Sequence, residues 1–352
     1  MTDDFQVLRT EWSAHPPSDW DAYVFAHSGG HAFQTAAAVM IGNRAFGLPV
    51  YYVTARGVDG RLRGVLPLVE QTLIPRTRCL VSLPFCTYGG PLAEGGDTLR
   101  ALLGAAEEIA QRRRVARLII RHVGEMPAIP YPASLDKVSM VLPLPGTTEE
   151  LARRLGSKLR SQIRRSDREK PVSVLGGDEL LGDFFMVFSN VMRDLGTPVY
   201  PRRFFDAVLA ALGDQASVMV LYVNKTPVSA AILVHWRDTL KVPWAATLHA
   251  VSTLSINMRL YWDLLQLAID RRCAKFDFGR CTRDAGTYRF KAQWGAEPVQ
   301  LYWRSRNLGA VDSMTAVLDN RAQLETAVKI WRRLPVPVAN LLGPYVSPKL
   351  PW

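Results

Sequence analysis

The densest mixture of polar, aromatic and glycine residues in the chain runs from Phe276 to Gly295 and reads FDFGRCTRDAGTYRFKAQWG. The pattern predicts a strand that ends at Gly279, a loop, and a short helix that sets Lys291 about one turn after Thr287. Loops held at strand ends by a rigid sheet are common sites of binding and catalysis, and Gly279 and Gly286 permit close backbone approach. Strand alternation puts Asp277 opposite Phe276 and Phe278, where it either faces a cleft as a general base or makes a structural ion pair with Arg280. Tyr288, Tyr200 and His249 are further proton carriers, each also suited to packing with its polar tip satisfied. Metal chemistry finds little support: the six histidines form no HExxH, and Cys79, Cys86, Cys273 and Cys281 lack ligand spacing. A Walker loop, a GxGxxG opening a helix and a GxSxG elbow are all missing from the sequence.

The elements that must position this segment occur twice. Residues 52–69 and 218–234 each read strand, polar turn, strand, with turn residues at Asp59-Gly60 and Asn224-Lys225. Thr98 to Arg112 and Ile256 to Arg272 then read as helices, each followed by a strand that opens at RRVARLII (113–120) or RRCAKFDF (271–278). Self-similarity at long period is a strong guide to architecture, so the expected fold is mixed α/β (α+β) in two copies. The 352 residues allow two domains of ordinary size. The Pro/Gly turn at 142–148 sets the boundary: residues 1–146, residues 147–310, and a basic aromatic tail at 311–352.

After that turn, Thr147 or Thr148 caps a helix expected from Glu149 to about Glu169. Leu151, Leu155, Leu159 and Ile163 form its apolar stripe, and Arg153, Arg154, Lys158, Arg160, Arg164, Arg165 and Arg168 cover the rest. This face is either a solvated surface or a site for phosphate, which suits the guanidinium fork. The net charge of +11 likewise favours anionic partners. The tail has no acid after Glu325; it either rests on an anionic membrane through Trp and Leu anchors or packs across the domain junction. Residues 218–236 are broken by Asn224-Lys225-Thr226-Pro227, so no membrane span is expected. The acidic start Met1-Thr2-Asp3-Asp4 and the sparse cysteines point to a cytoplasmic protein.

FDFGRCTRDAGTYRFKAQWG closely resembles the signature of the FemAB-like acyltransferases. LRSQIRR (159–165), GTPVYP (196–201) and HAFQT (31–35) fit the same pattern, and the tail resembles the variant associated with exopolysaccharide and PEP-CTERM clusters. The resemblance implies two GNAT-like N-acyltransferase domains in tandem and transfer of an acyl or aminoacyl group to an amine of a cell-envelope or exopolysaccharide precursor. By it, Lys291 stabilises the oxyanion, the alternative being a surface lysine. Asp277 and Tyr288 join it as catalytic candidates, although the donor's own hydroxyl can relay the proton in this family. Substrate falls to Arg154, Lys158, Arg160, Arg164, Arg165, Tyr200, Arg280, Thr287, Phe290 and Trp294. No permanently bound cofactor is implied; the co-substrate is aminoacyl-tRNA or acyl-CoA. Ordinary acetyl-CoA-dependent GNAT proteins cradle pyrophosphate in a glycine-bearing loop, whereas residues 247–257 have no glycine, which favours tRNA. The expected partners are a phosphorylated or lipid-linked glycan or peptide precursor, tRNA, and a membrane surface met by the tail. A non-catalytic adaptor and an acetyl-CoA-dependent N-acetyltransferase are the alternatives.

Overall fold

The computed structural model describes residues 8–74, 76–126, 128–309 and 321–350. Both the acidic N-terminal residues and the start of the tail, 311–320, lie outside them. Two compact units emerge, one made of Met1–Leu135, Gln300–Arg321 and Pro348–Trp352, the other of Asp136–Val299 and Ala322–Ser347.

In the first unit the elements are β1 (Arg9–Ser13), α1 (Trp20–Ala26), α2 (Ala36–Val39), α3 (Ile41–Phe46), β2 (Val50–Arg56), β3 (Leu62–Leu73), β4 (Thr77–Val81), β5 (Leu92–Ala93), α4 (Gly96–Arg112), β6 (Arg117–Val123) and β7 (Ala133–Ser134). The second holds β8 (Lys137–Pro143), α5 (Thr148–Arg154), α6 (Ser157–Ser166), β9 (Val172–Gly176), α7 (Leu181–Leu195), α8 (Arg202–Leu212), β10 (Ala216–Val223), β11 (Thr226–Trp236), β12 (Thr239–Thr247), α9 (Ile256–Asp270), β13 (Lys275–Thr282) and α10 (Gly286–Ala292). After these come β14 (Glu297–Asn307), α11 (Arg321–Arg332) and α12 (Val336–Val346).

The duplication is explicit in the sheets. The first unit orders its main strands β1-β2-β3-β4-β6-β14 and the second β9-β10-β11-β12-β13-β8. Within each, every neighbouring pair is antiparallel except one, β4 with β6 and β12 with β13. A parallel pair needs a crossover, and α4 and α9 supply it. Leu99, Leu102, Ala106 and Ile109 of α4 are buried in one core with Val53, Leu66, Leu80, Leu118 and Ile120. Leu260, Leu264, Leu265 and Ala268 of α9 share the other with Leu233, Val242, Phe276 and Phe278. Both hairpins form where their turn residues allow positive φ: Gly60 at 76°, Asn224 at 50° and Lys225 at 64°.

Three boundaries differ from the sequence reading. The chain passes between units at 135/136, not at 146/147, because β8 pairs with β13 from Lys137 to Pro143. The basic helix is two helices, α5 and α6, parted at Leu155-Gly156, where Leu155 is extended at ψ 139°. Its apolar stripe survives the break: Leu151, Leu155, Leu159 and Ile163 are all buried. Thr147 is the N-cap, its hydroxyl accepting the Glu150 N–H at 3.2 Å. The tail is not a separate body, since 322–347 belong to the second unit. There Gly343 of α12 lies so close to Val199 that a Cβ would sit 2.6 Å from its carbonyl oxygen, and Asn340 donates to Ser189 at 3.3 Å. Leu341, Leu342 and Tyr345 remain exposed. No helix among the described residues is long and apolar enough to cross a membrane.

Candidate active site

The C-terminal site grows from one feature of the second sheet. The parallel ladder of β12 and β13 lasts only three residue pairs, Thr239 with Lys275, Leu240 with Phe276 and Lys241 with Asp277, although both strands continue beyond them. At the last pair Lys241 Nζ meets Asp277 Oδ2 at 2.9 Å. Beyond it the pairing of β13 with β8 shifts register between Asp277 and Arg280. This irregularity requires glycine: Gly279 has φ +75°, and a Cβ there would lie 2.8 Å from the Val242 carbonyl oxygen. The strand therefore does not end at Gly279 as expected; it bulges there and runs on to Thr282.

Asp277 is 4% exposed and holds the bulge from inside. The Ser139 hydroxyl donates to its Oδ1 at 2.6 Å, and the Gly279 N–H donates to the same oxygen at 2.8 Å. Burial opposes ionisation, but Lys241, Ser139 and Gly279 together outweigh it and keep the carboxyl below its ordinary pKa. Asp277 makes an ion pair with Lys241. A carboxylate held this tightly is a poor proton acceptor, so it positions the bulge.

Lys291 comes from α10, which leaves the strand after Asp284, where φ is +61°. Phe290 packs edge to face on Tyr261 at 5.0 Å, and Tyr261 stacks on Phe278 at 5.4 Å. Trp294 is buried in the same cluster, so neighbouring aromatics pin the helix turn that carries the lysine. Lys291 is 7% exposed, and its Nζ donates to the carbonyl oxygens of Gly279 at 2.8 Å and Arg280 at 3.0 Å. An ammonium has three donors, so these two bonds leave one N–H for another acceptor. Burial pushes the pKa down from 10.5 to about 8, against the opposing pull of Cys281 and Asp277. The group is thus mainly charged at neutral pH yet largely stripped of water.

The remaining candidates divide by place. Arg280 and Tyr288 are half-buried beside the bulge and on α10, and Thr287 is exposed in the first turn of that helix. Tyr200 belongs to another cluster: its ring lies 4.6 Å from Phe204, which meets Trp244 of β12 at 5.6 Å. His249 is exposed in a short 3-10 turn before α9. Among the linker cations, Arg154 pairs with Glu150, and Arg160 folds back to donate to the Leu155 carbonyl at 2.9 Å, closing the end of α5. Lys158, Arg164 and Arg165 are exposed. Sequence reasoning missed Lys241 and Ser139, which come from other strands and carry no local motif.

Residues 153–292 match the model of the acetyltransferase (GNAT) domain. No curated protein matches the sequence. Among solved structures, FemX superposes with TM-score 0.69 at 14% identity, covering 88% of this chain and 100% of that one. The chain has a tandem GNAT fold. A tandem GNAT protein from the clavulanic acid biosynthesis pathway gives TM-score 0.55 at 13% identity, over 87% of this chain and 100% of that one. The C-terminal domain of a putative lysylphosphatidylglycerol synthetase from Agrobacterium fabrum gives 0.54 at 13%, over 85% and 93%. The two GNAT-fold units explain why each sheet carries one short parallel pair bridged by a helix.

Proposed function

We propose that this chain is a FemAB-like transferase that moves an acyl or aminoacyl group onto an amine, with Lys291 stabilising the oxyanion of the tetrahedral intermediate. The observation that carries the reading is the buried Lys291 ammonium, fixed by two backbone carbonyls where β13 departs from β12, with one donor to spare. A prealigned, desolvated cation near developing negative charge is worth about 3 kcal/mol of barrier, and it needs no reorganisation as the charge appears. The amine attacks the donor's ester or thioester carbonyl, the carbonyl oxygen takes up charge beside Nζ, and collapse expels the donor's alcohol or thiol. Asp277 positions Gly279 and through it the lysine.

Aminoacyl-tRNA is the donor we favour over acyl-CoA. The segment before α9 has no glycine, and exposed Lys158, Arg164 and Arg165 can neutralise phosphate. The acceptor is an amine on a cell-envelope precursor, glycan or peptide, phosphorylated or lipid-linked. Exposed Leu341, Leu342 and Tyr345, near Arg332 and Arg333 in sequence, support contact of α12 with the inner membrane face. Mass spectrometry of envelope precursors from cells with, without, and with Lys291→Ala protein tests the reading. The expected result is one acyl or aminoacyl mass increment, absent from both the deletion and the variant. An increment that persists in Lys291→Ala would assign the chain to the adaptor class instead.

A further inference from the structure

The two faces of α12 differ in kind. Val338, Leu341, Leu342 and Tyr345 follow helical spacing and form one exposed apolar stripe, with Leu341 68% and Tyr345 69% exposed. The other face buries Ala339 and Gly343 and, just past the helix, Ser347. It rests on the turn between α7 and α8, where a Cβ on Gly343 would also meet the Val199 nitrogen at 3.1 Å. α11 grips the same turn. A Cβ on Gly196, which has φ +76°, would lie 2.5 Å from Val328 Cγ1, and Arg193 Nη1 donates to the Leu334 carbonyl at 3.0 Å.

Size and charge decide what the stripe meets. A contiguous exposed apolar patch marks an interaction site. The four side chains span only about 10 Å along the helix, too short a strip to supply the roughly 800 Å² that each partner buries in a stable protein interface. A second copy is opposed by charge as well, because residues 326–352 contain Lys329, Arg332, Arg333 and Lys349 and no acid. Pairing two such tails would bring like charges together. The same composition fits an anionic bilayer, where apolar side chains enter the acyl boundary and each nearby cation strengthens binding about fivefold. Lys329 and Arg333 are exposed for that contact.

Seating this helix changes what lies under it. α12 has 11 residues, includes Gly343 and Pro344, and leaves its apolar stripe exposed. A helix this short is marginal by itself, and an internal proline removes one of its hydrogen bonds. A surface that takes up the stripe stabilises the helix, and the helix bears on Val199, so by linkage each contact strengthens the other. The turn also supports the strand beside the candidate lysine site. Tyr200 packs on Phe204 and Phe204 on Trp244, which lies on β12 beyond Lys241, where the ladder with β13 has ended.

We propose that α12 seats the second unit on an anionic lipid surface through Val338, Leu341, Leu342 and Tyr345, and that seating orders the turn at 195–200, so that the surface promotes transfer besides anchoring the enzyme. The promotion of transfer deepens the proposed function and rests on it; the seating and the ordering of the turn do not.

The test uses the full chain with vesicles of phosphatidylcholine, with and without phosphatidylglycerol. Flotation should show saturable binding to the anionic vesicles and at least tenfold weaker binding to the neutral ones. Leu341→Glu and Tyr345→Ser should each weaken binding about tenfold and Arg333→Ala about fivefold, with melting curves unchanged because all three side chains are exposed. Anionic vesicles should slow hydrogen exchange of the amides at 195–200 at least threefold in wild type. Gly343→Ala keeps the lipid-facing stripe and pushes the helix off Val199, so it should float as wild type does and lose that protection. Lys291→Ala should match wild type in both readouts, which separates a failure here from a failure of the transferase reading. In cells, Leu341→Glu should lower the precursor mass increment about tenfold. The proposal would be overturned by absence of binding to anionic vesicles, equal binding to neutral ones, affinity or increment unchanged in Leu341→Glu, or exchange at 195–200 unaffected by vesicles. A dimer that Leu341→Glu dissociates in sedimentation would also overturn it, by assigning the stripe to a second copy.

Discussion

Replacing Lys291 with Met removes a buried charge and leaves the Gly279 and Arg280 carbonyls without their donor. These two consequences differ in pH dependence, which lets them be separated. Burial holds the folded-state pKa at about 8, against 10.5 for the ordinary group. Between those values the unfolded chain binds more protons at this site than the folded one, so native stability rises with pH across the window. Below about 8 the full burden of the buried ammonium is present, about 3 kcal/mol from the size of the shift; above 10.5 it is gone. The orphaned carbonyls cost the variant a constant amount at every pH. Between about pH 7 and pH 10, wild type should therefore gain about 2.5 kcal/mol on Lys291→Met by the linkage relation. Paired urea titrations at intervals across that range measure the difference, and titrations common to both proteins cancel. A difference that stays flat to within about 0.5 kcal/mol would mean that the ammonium is solvated, and the electrostatic basis for its role would fail. Transfer that depends on the charged form should decline as pH rises past about 8.

Other outcomes follow from the same site. Asp277→Asn takes the carboxylate charge away from the half-buried Lys241 ammonium and should destabilise the protein by about 3 kcal/mol, seen as a large fall in melting temperature. In wild type the stability due to Asp277, present above the ordinary carboxyl pKa near 4, should be lost as pH falls through its depressed folded value, a loss that acid titration of Asp277→Asn should lack. Gly279→Ala places a Cβ 2.8 Å from the Val242 carbonyl at φ +75° and should cost about 2 kcal/mol or more by denaturant titration. If tRNA is the donor, Arg164→Ala and Arg165→Ala should each reduce the salt slope of tRNA binding by about 1 in filter-binding assays, with fold intact because both side chains are exposed.

The repeated unit was legible in the sequence because it rests on local signals. Hairpin turns at 59–60 and 224–225 need residues that tolerate positive φ, and the crossover helices need an apolar face at helical spacing; both are written in consecutive residues. The break at Leu155-Gly156 was hidden because the apolar stripe keeps its fourfold spacing across it, and an extended Leu155 buries its side chain as well as a helical one would. The unit boundary was misplaced for a related reason. A Pro/Gly turn marks where the chain bends, while membership in a unit depends on which strand a segment pairs with, and β8 pairs with β13, more than a hundred residues later.

The sequence by itself determined the two mixed α/β units, the helix that carries Lys291, the cationic surface of α5 and α6 and the glycine at the bulge. Tertiary structure alone decided that Asp277 is clasped by Lys241 and Ser139 and that Lys291 is buried against two carbonyls. Element type follows from short-range steric and hydrophobic patterning, which neighbouring residues encode. Desolvation, ion pairing and the orphaning of a polar atom depend on groups brought together from distant strands, and no local pattern records them.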